Sequence, residues 1–151
     1  MDDSHRIIRI AAALIMNDAG RTLVVRKRGT LVFMQAGGKI EPGETPRQAL
    51  ARELAEELGG LWQAQDFAYL GQFSAPAANE TGHLVKADIF ALRAPDTIAP
   101  AAEIAEAIWI DPRDRSLPLA PLSRDHVLPL ALQMPNCDQS RSGAPSGKSI
   151  R

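Results

Sequence analysis

Three glutamates, Glu53, Glu56 and Glu57, fall within five consecutive positions of the stretch Arg52-Glu53-Leu54-Ala55-Glu56-Glu57. Residues three and four apart are neighbours on a helix surface, at about 100° per residue, so the three carboxylates share one arc. Like charges at that spacing repel by roughly a few tenths of a kcal/mol per pair, and a helix that groups them gains from a bound cation. A cluster of hard oxygen donors suits Mg²⁺ or Mn²⁺, which bind through a few carboxylates, waters and substrate phosphates. On a bare surface helix the same residues would read as a solvated acidic face; here the flanking residues decide. Upstream runs Gly37-Gly38-Lys39-Ile40-Glu41-Pro42-Gly43-Glu44. Glycine admits backbone conformations and close approaches that a side chain would block, so this loop can carry a carbonyl and Glu44 up to the helix.

The helix itself is well delimited. Thr45 is its N-cap, Pro46 takes the first helical position and Gln48 completes a capping box, while Gly59 supplies the stop. Leu50, Leu54 and Leu58 recur every four residues and form an apolar stripe beside the carboxylates. One edge of the helix is therefore core and the other faces a site. Around it, residues 6–16 are apolar and β-prone, Asn17-Asp18-Ala19-Gly20 is a turn signal, and residues 21–28 alternate, which together predict a hairpin. Further strands are expected over 31–34, 66–73, 84–93 and 105–110, the last ended by Asp111-Pro112. The segment 123–133 predicts a closing helix that Pro129 must kink or interrupt. Strands, helix, strands, helix in that order predict an α/β domain with a mixed sheet between helices, an α/β/α sandwich.

From Gly38, five residues, then Glu44, seven residues, then Arg52-Glu53-Leu54-Ala55-Glu56-Glu57-Leu58-Gly59 fill every fixed position of the pattern GX5EX7REUXEEXGU, with U a bulky apolar residue, and the chain resembles the Nudix hydrolase family. Two departures stand out: Gly60 occupies the final U, and Gln35-Ala36 stand where many members carry a Leu-Pro or Phe-Pro pair. The resemblance implies the Nudix-type α/β/α sandwich and a Mg²⁺- or Mn²⁺-dependent hydrolysis of a nucleoside diphosphate linked to another moiety, such as ADP-ribose or a nucleotide sugar. A MutT-like nucleoside triphosphate pyrophosphohydrolase is the alternative, and a nucleotide-sensing module that has kept only the fold is a third reading. The resemblance further implies Glu53, Glu56 and Glu57 as metal ligands, with the Gly37 carbonyl as an added one. Glu53 is the first nominee for general base and Glu103, in the loop ahead of the last strand, the second, with Glu106 competing for the latter place. Arg52 and Glu44 form the supporting pair. Arg28, Gly38 and Lys39 are the candidate substrate contacts, although Arg26 and Lys27 lie equally close in sequence. Pro76 falls sixteen residues beyond the pattern, where a proline accompanies ADP-ribose hydrolysis in similar proteins.

Length and composition are those of one small enzyme domain. The chain has 151 residues, 45% of them hydrophobic, enough for a single core over residues 1–134. Its net charge of −1 supplies no general attraction to nucleic acid or membrane. The lone Cys137, the lack of a signal-peptide pattern and the lack of a long apolar run predict a cytoplasmic protein, while the resemblance implies a small nucleotide as its substrate and is compatible with a homodimer. Residues 135–151 turn to Ser, Gly, Pro, Asn, Gln and Arg and predict a flexible tail. Within that tail the run 143–149 imitates a phosphate-binding loop, but Ser142 stands at the first glycine position and no strand or helix flanks it. His5, His83 and His126 have no metal-ligand spacing, and Phe33, Phe73 and Phe90 on strands are expected in the core.

Overall fold

The computed structural model describes residues 6–134. The tail, Cys137, His5 and the phosphate-loop imitation all lie outside the described residues. Seven strands form one sheet: β1 (Arg6–Met16), β2 (Thr22–Lys27), β3 (Phe33–Met34), β4 (Gly37–Lys39), β5 (Ala68–Pro76), β6 (His83–Arg93) and β7 (Ile104–Ile110). Two helices complete it, α1 (Pro46–Leu58) and α2 (Leu128–Gln133). The sheet is mixed, because β1 runs parallel to β6 along its whole length while every other pairing between two of these strands is antiparallel.

Alternation along β1 sorts the core into two layers. Ala11, Ala13 and Ile15 pack with Leu50, Leu54 and Leu58 of α1, whereas Ala12 and Leu14 pack with Val127 and Ala131 at α2. The helices therefore cover opposite faces, as the α/β/α reading requires. Both ends of α1 behave as its sequence dictates: the Thr45 hydroxyl accepts from the Gln48 amide at 3.1 Å, the Gln48 side chain accepts from the Thr45 amide at 2.9 Å, and Gly59 closes the helix. Beyond it Gly60 adopts φ +83°, a left-handed conformation that a bulky residue would resist, and Trp62 packs against the α1-side core instead.

The hairpin expectation needs correction. β1 and β2 pair only at Met16 and Thr22, next to the turn, and then diverge. β2 is satisfied instead by β7 along its full length, and β1 by β6. The connecting chain fills the fork: Phe33 and Met34 pair with β2, then Gly37 to Lys39 pair with β1 opposite Ala12, Ala11 and Ile10. Residues 37–39, read from sequence as loop, are therefore a strand, and the 31–34 strand shrinks to two residues. The predicted closing helix is split as well. Residues 123–127 form a π-helical turn and the α-helix begins at Leu128 with Pro129 in its first turn. Proline lacks the N–H that would bond Asp125 and crowds that carbonyl, which a widened turn relieves.

Candidate active site

Helix α1 presents its three carboxylates in three different environments. Glu57 is wholly buried, Glu53 is partly buried and Glu56 is exposed. One Glu57 oxygen accepts from the Gly37 amide at 3.2 Å, and the other, Oε2, stands 3.6 Å from the Lys27 ammonium with no hydrogen-bond partner. Burial raises the Glu57 carboxyl to about 7, against the opposing pull of Lys27 and the Gly37 N–H. Burial likewise raises Glu53, while Arg52 counters it.

The glycines make this approach possible. A Cβ at Gly37 would sit 2.2 Å from the Ala11 carbonyl oxygen, and one at Gly38 would sit 2.4 Å from the Glu53 carboxyl carbon. Gly37 therefore lets β4 reach β1, and Gly38 leaves the space that the Glu53 carboxylate occupies. Arg52 ties the two halves of the site together. Its Nε and Nη2 donate to both Glu44 oxygens at 2.7 and 2.9 Å, its Nη1 donates to Glu53 at 3.1 Å, and Nη2 also reaches the Lys39 carbonyl. The two-pronged bond to Arg52 lowers Glu44 to about 2, and the same partner raises the guanidinium.

Among the described residues, no three His, Cys, Asp or Glu side chains converge as a ready metal cage. The chain's own cations, Arg52 and Lys27, hold the carboxylates instead. The donor set nonetheless fits a divalent cation. The buried Glu57 Oε2 has an ion-pair contact with Lys27 at 3.6 Å but no hydrogen bond, which leaves it coordinating capacity, and hard oxygens suit a hard ion.

Beside the platform opens a cavity of about 380 Å³, near the lower end of the range usual for small-molecule sites. Lys27, Gly37, Gly38, Lys39 and Glu53 contribute its charged and glycine lining. Ile8, Ile10, Ala12, Val85 and Leu122 contribute its apolar lining, and residues 76–80 line it too. Of the sequence-derived candidates, Glu44, Arg52, Glu53, Glu57, Gly37, Gly38 and Lys39 come together here, with Glu56 at the exposed margin, 3.5 Å from Arg52. Glu103 lies close enough for its charge to raise Glu57, and its carbonyl accepts from the Arg28 amide. Arg28 itself bonds the Ala102 carbonyl through Nε and does not line the cavity, whereas Lys27 does. Glu106 is paired with Arg26 across β2 and β7 at 2.7 Å. Phe33 and Phe90 are core residues, and Phe73 is half-buried against His126. Sequence reasoning missed Gln35 and Ser123, both buried and both lining the cavity. Only the polar character of Gln35 at a position usually apolar signalled it.

A mixed sheet between two helices, with a carboxylate helix set against a glycine strand beside a cavity, defines an α/β/α domain. The chain belongs to the Nudix family, whose NUDIX domain matches residues 6–131. It is 33% identical over 124 residues to the CTP pyrophosphohydrolase of Escherichia coli strain K12, covering 77% of this chain and 85% of that protein. It is 43% identical over 58 residues to the 8-oxo-dGTP diphosphatase of Haemophilus influenzae, covering 36% of this chain and 43% of that one, so the chain spans less than half of this relative. Among solved structures, a MutT protein from Methanosarcina mazei Go1 superposes with a TM-score of 0.67 at 20% identity, covering 95% of this chain and 100% of that chain, which shows the shared fold.

Proposed function

We propose that the protein is a Mg²⁺- or Mn²⁺-dependent pyrophosphohydrolase that cleaves nucleoside triphosphates to a nucleoside monophosphate and pyrophosphate. The observation that carries this reading is the mixed lining of one cavity: Lys27, Glu53 and Gly38 share it with the apolar Ile8, Ile10, Ala12, Val85 and Leu122, which suits a ligand with a charged chain and an apolar ring. The named activities of the two relatives above, both on nucleoside triphosphates, favour this over the nucleoside diphosphate sugars. One feature supports the latter as a second reading, since Pro76 lines the same cavity.

When bound at Glu53, Glu56 and Glu57, with the Gly37 carbonyl as a further donor, the metal supplies neutralisation of charge on the pyrophosphate oxygens. The protein's own groups do the rest. Lys27 binds a phosphate oxygen as a point charge. Glu53 takes the proton from the attacking water, with Glu103 as the second nominee. Arg52 fixes the Glu53 carboxylate and is itself fixed by Glu44. The apolar walls exclude water from the nucleoside.

The test is a hydrolysis panel with Mg²⁺: nucleoside triphosphates, oxidised nucleotides, ADP-ribose, nucleotide sugars and dinucleoside polyphosphates, with products separated and a Glu57→Gln control. Pyrophosphate release that disappears in the control is expected. AMP with a sugar phosphate would shift the assignment to the second reading, and no turnover of any substrate would overturn both.

A further inference from the structure

Lys27 is fixed at its backbone and loosely held at its tip. Alternation along β2 sets it on the face of Leu23 and Val25, which pack against α1, and the β2–β7 register slips between Arg26 and Lys27 where the strand ends. The Thr30 amide and hydroxyl both donate to the Lys27 carbonyl, at 3.0 and 2.8 Å. On either side, the Arg28 amide donates to the Glu103 carbonyl and Arg26 Nη1 to the Thr30 carbonyl, each at 2.8 Å. The turn therefore settles where the side chain starts. Among the described residues the ammonium has a single ion-pair partner, Glu57 Oε2 at 3.6 Å, which is too long for a hydrogen bond, and 40% of the side chain is exposed.

Glu57 has only one oxygen to offer. Its side chain is 1% exposed, the other oxygen accepts from the Gly37 amide at 3.2 Å, and Oε2 has the Lys27 ammonium beside it and no hydrogen bond. A divalent cation that takes Oε2 meets a like charge already in contact with that atom, and the two repel. Arg52 is not a competitor of this kind, because Glu44 grips it through two nitrogens and only Nη1 turns to Glu53 and Glu56. Lysine is a compact point charge on a flexible four-carbon stem. Swinging off Glu57, it remains beside the cavity that it lines, where a phosphate chain offers another anion.

Resting on the metal-dependent pyrophosphohydrolase reading above, we propose that Lys27 and the divalent cation are alternative partners of Glu57 Oε2, so that cation binding hands the Lys27 ammonium over to the substrate's phosphate chain. Lys27 thereby lowers the affinity for the metal alone and couples the two ligands. An anion that draws the ammonium away from Glu57 favours the metal, and the metal releases the ammonium to the anion; the linkage is reciprocal. Lys39 lines the same cavity, but its ammonium has no ion-pair partner, so its charge acts on the platform only through space.

Mn²⁺ affinity, read by electron paramagnetic resonance at pH 8 without nucleotide, tests the inference in the wild type, Lys27→Met and Lys39→Met. Lys27→Met is expected to bind Mn²⁺ about tenfold more tightly than the wild type, and Lys39→Met within about threefold of it. Equal tightening in the two variants would mean that charge acts through space alone, and no tightening in Lys27→Met would mean that the ammonium does not compete; either overturns the proposal. The hand-over is read by calorimetry with inorganic pyrophosphate at saturating Mn²⁺, where Lys27→Met is expected to bind about tenfold more weakly. Opposite movement of the two affinities is the signature, since a merely structural lysine would lower both. Pyrophosphate affinity unchanged in Lys27→Met would overturn the hand-over. If Lys27→Met does not fold, Lys27→Gln takes its place in both measurements. Mn²⁺ binding without a Lys27 effect sinks this inference alone; a wild type that binds no Mn²⁺ sinks the metal-dependent reading with it.

Discussion

Arg52 shows how one side chain can organise a site without touching the reacting atoms. Its planar guanidinium serves Glu44 twice, Glu53 once and the Lys39 carbonyl, so it sets the distance between helix α1 and the strand-and-turn segment before it. Lysine cannot reproduce that fork, because its ammonium is a single point of charge. Arg52→Lys and Arg52→Ala are therefore both expected to lower kcat/KM by about 10–100-fold, the range for residues that orient metal ligands, with Mn²⁺ affinity falling in parallel. Steady-state kinetics alongside Mn²⁺ binding measured by electron paramagnetic resonance would check this. Lysine restoring full activity would mean that charge alone matters.

At the level of elements, the site is a contact between the carboxylate face of α1 and the short strand β4, and two adjacent glycines govern it in different ways. At Gly37 a Cβ would meet backbone of β1, the Ala11 oxygen at 2.2 Å and the Ala12 Cα at 2.7 Å. At Gly38 the three nearest atoms are all at the far end of the Glu53 side chain. Backbone cannot yield without breaking the β1–β4 pairing, whereas a glutamate can swing away. Gly37→Ala is expected to destabilise the fold by about 2–4 kcal/mol in denaturant melts. Gly38→Ala should melt within about 1 kcal/mol of the wild type, yet lose hydrolysis because Glu53 is displaced. Equal stability losses in the two variants would refute this division. The repeated leucines and capping residues made α1 legible in the sequence because they are local signals. The role of β4 was not legible, since a glycine strand carries no side-chain pattern and is defined only by the partner that it meets.

For the whole molecule, the buried carboxylate platform links stability to pH. In the metal-free protein Glu57 is raised from the usual 4.5 to about 7, so between those values the folded state holds more protons than the unfolded chain. Its contribution is present at low pH and fades as pH rises through about 7, by up to about 3 kcal/mol. Glu44 and Asp111, both lowered to about 2 by arginine partners, act oppositely, and the stability they give is lost as pH falls below the ordinary carboxylate range. Metal-free protein in EDTA is thus expected to be most stable near pH 5 and less so at pH 8. Glu57→Gln should flatten the upper slope, and Mn²⁺ should restore stability above pH 7 in the wild type alone. A metal-free stability that rises steadily to pH 8 would contradict the burial of an ionising Glu57. At this scale no helix of the described residues is long and apolar enough to cross a membrane. By itself the sequence determined the carboxylate helix, its caps, the glycine and glutamate spacing and the order of the strands and helices other than β4, because each is set by neighbours a few residues apart. Only the tertiary structure decided that Lys27 rather than Arg28 lines the cavity, that Glu106 is spent on Arg26, and that β1 and β2 part to leave a fork closed by Gln35. Those outcomes depend on which strand claims each free edge, and that competition between β4, β6 and β7 is settled by backbone pairing across the whole sheet, which local residue patterns do not record.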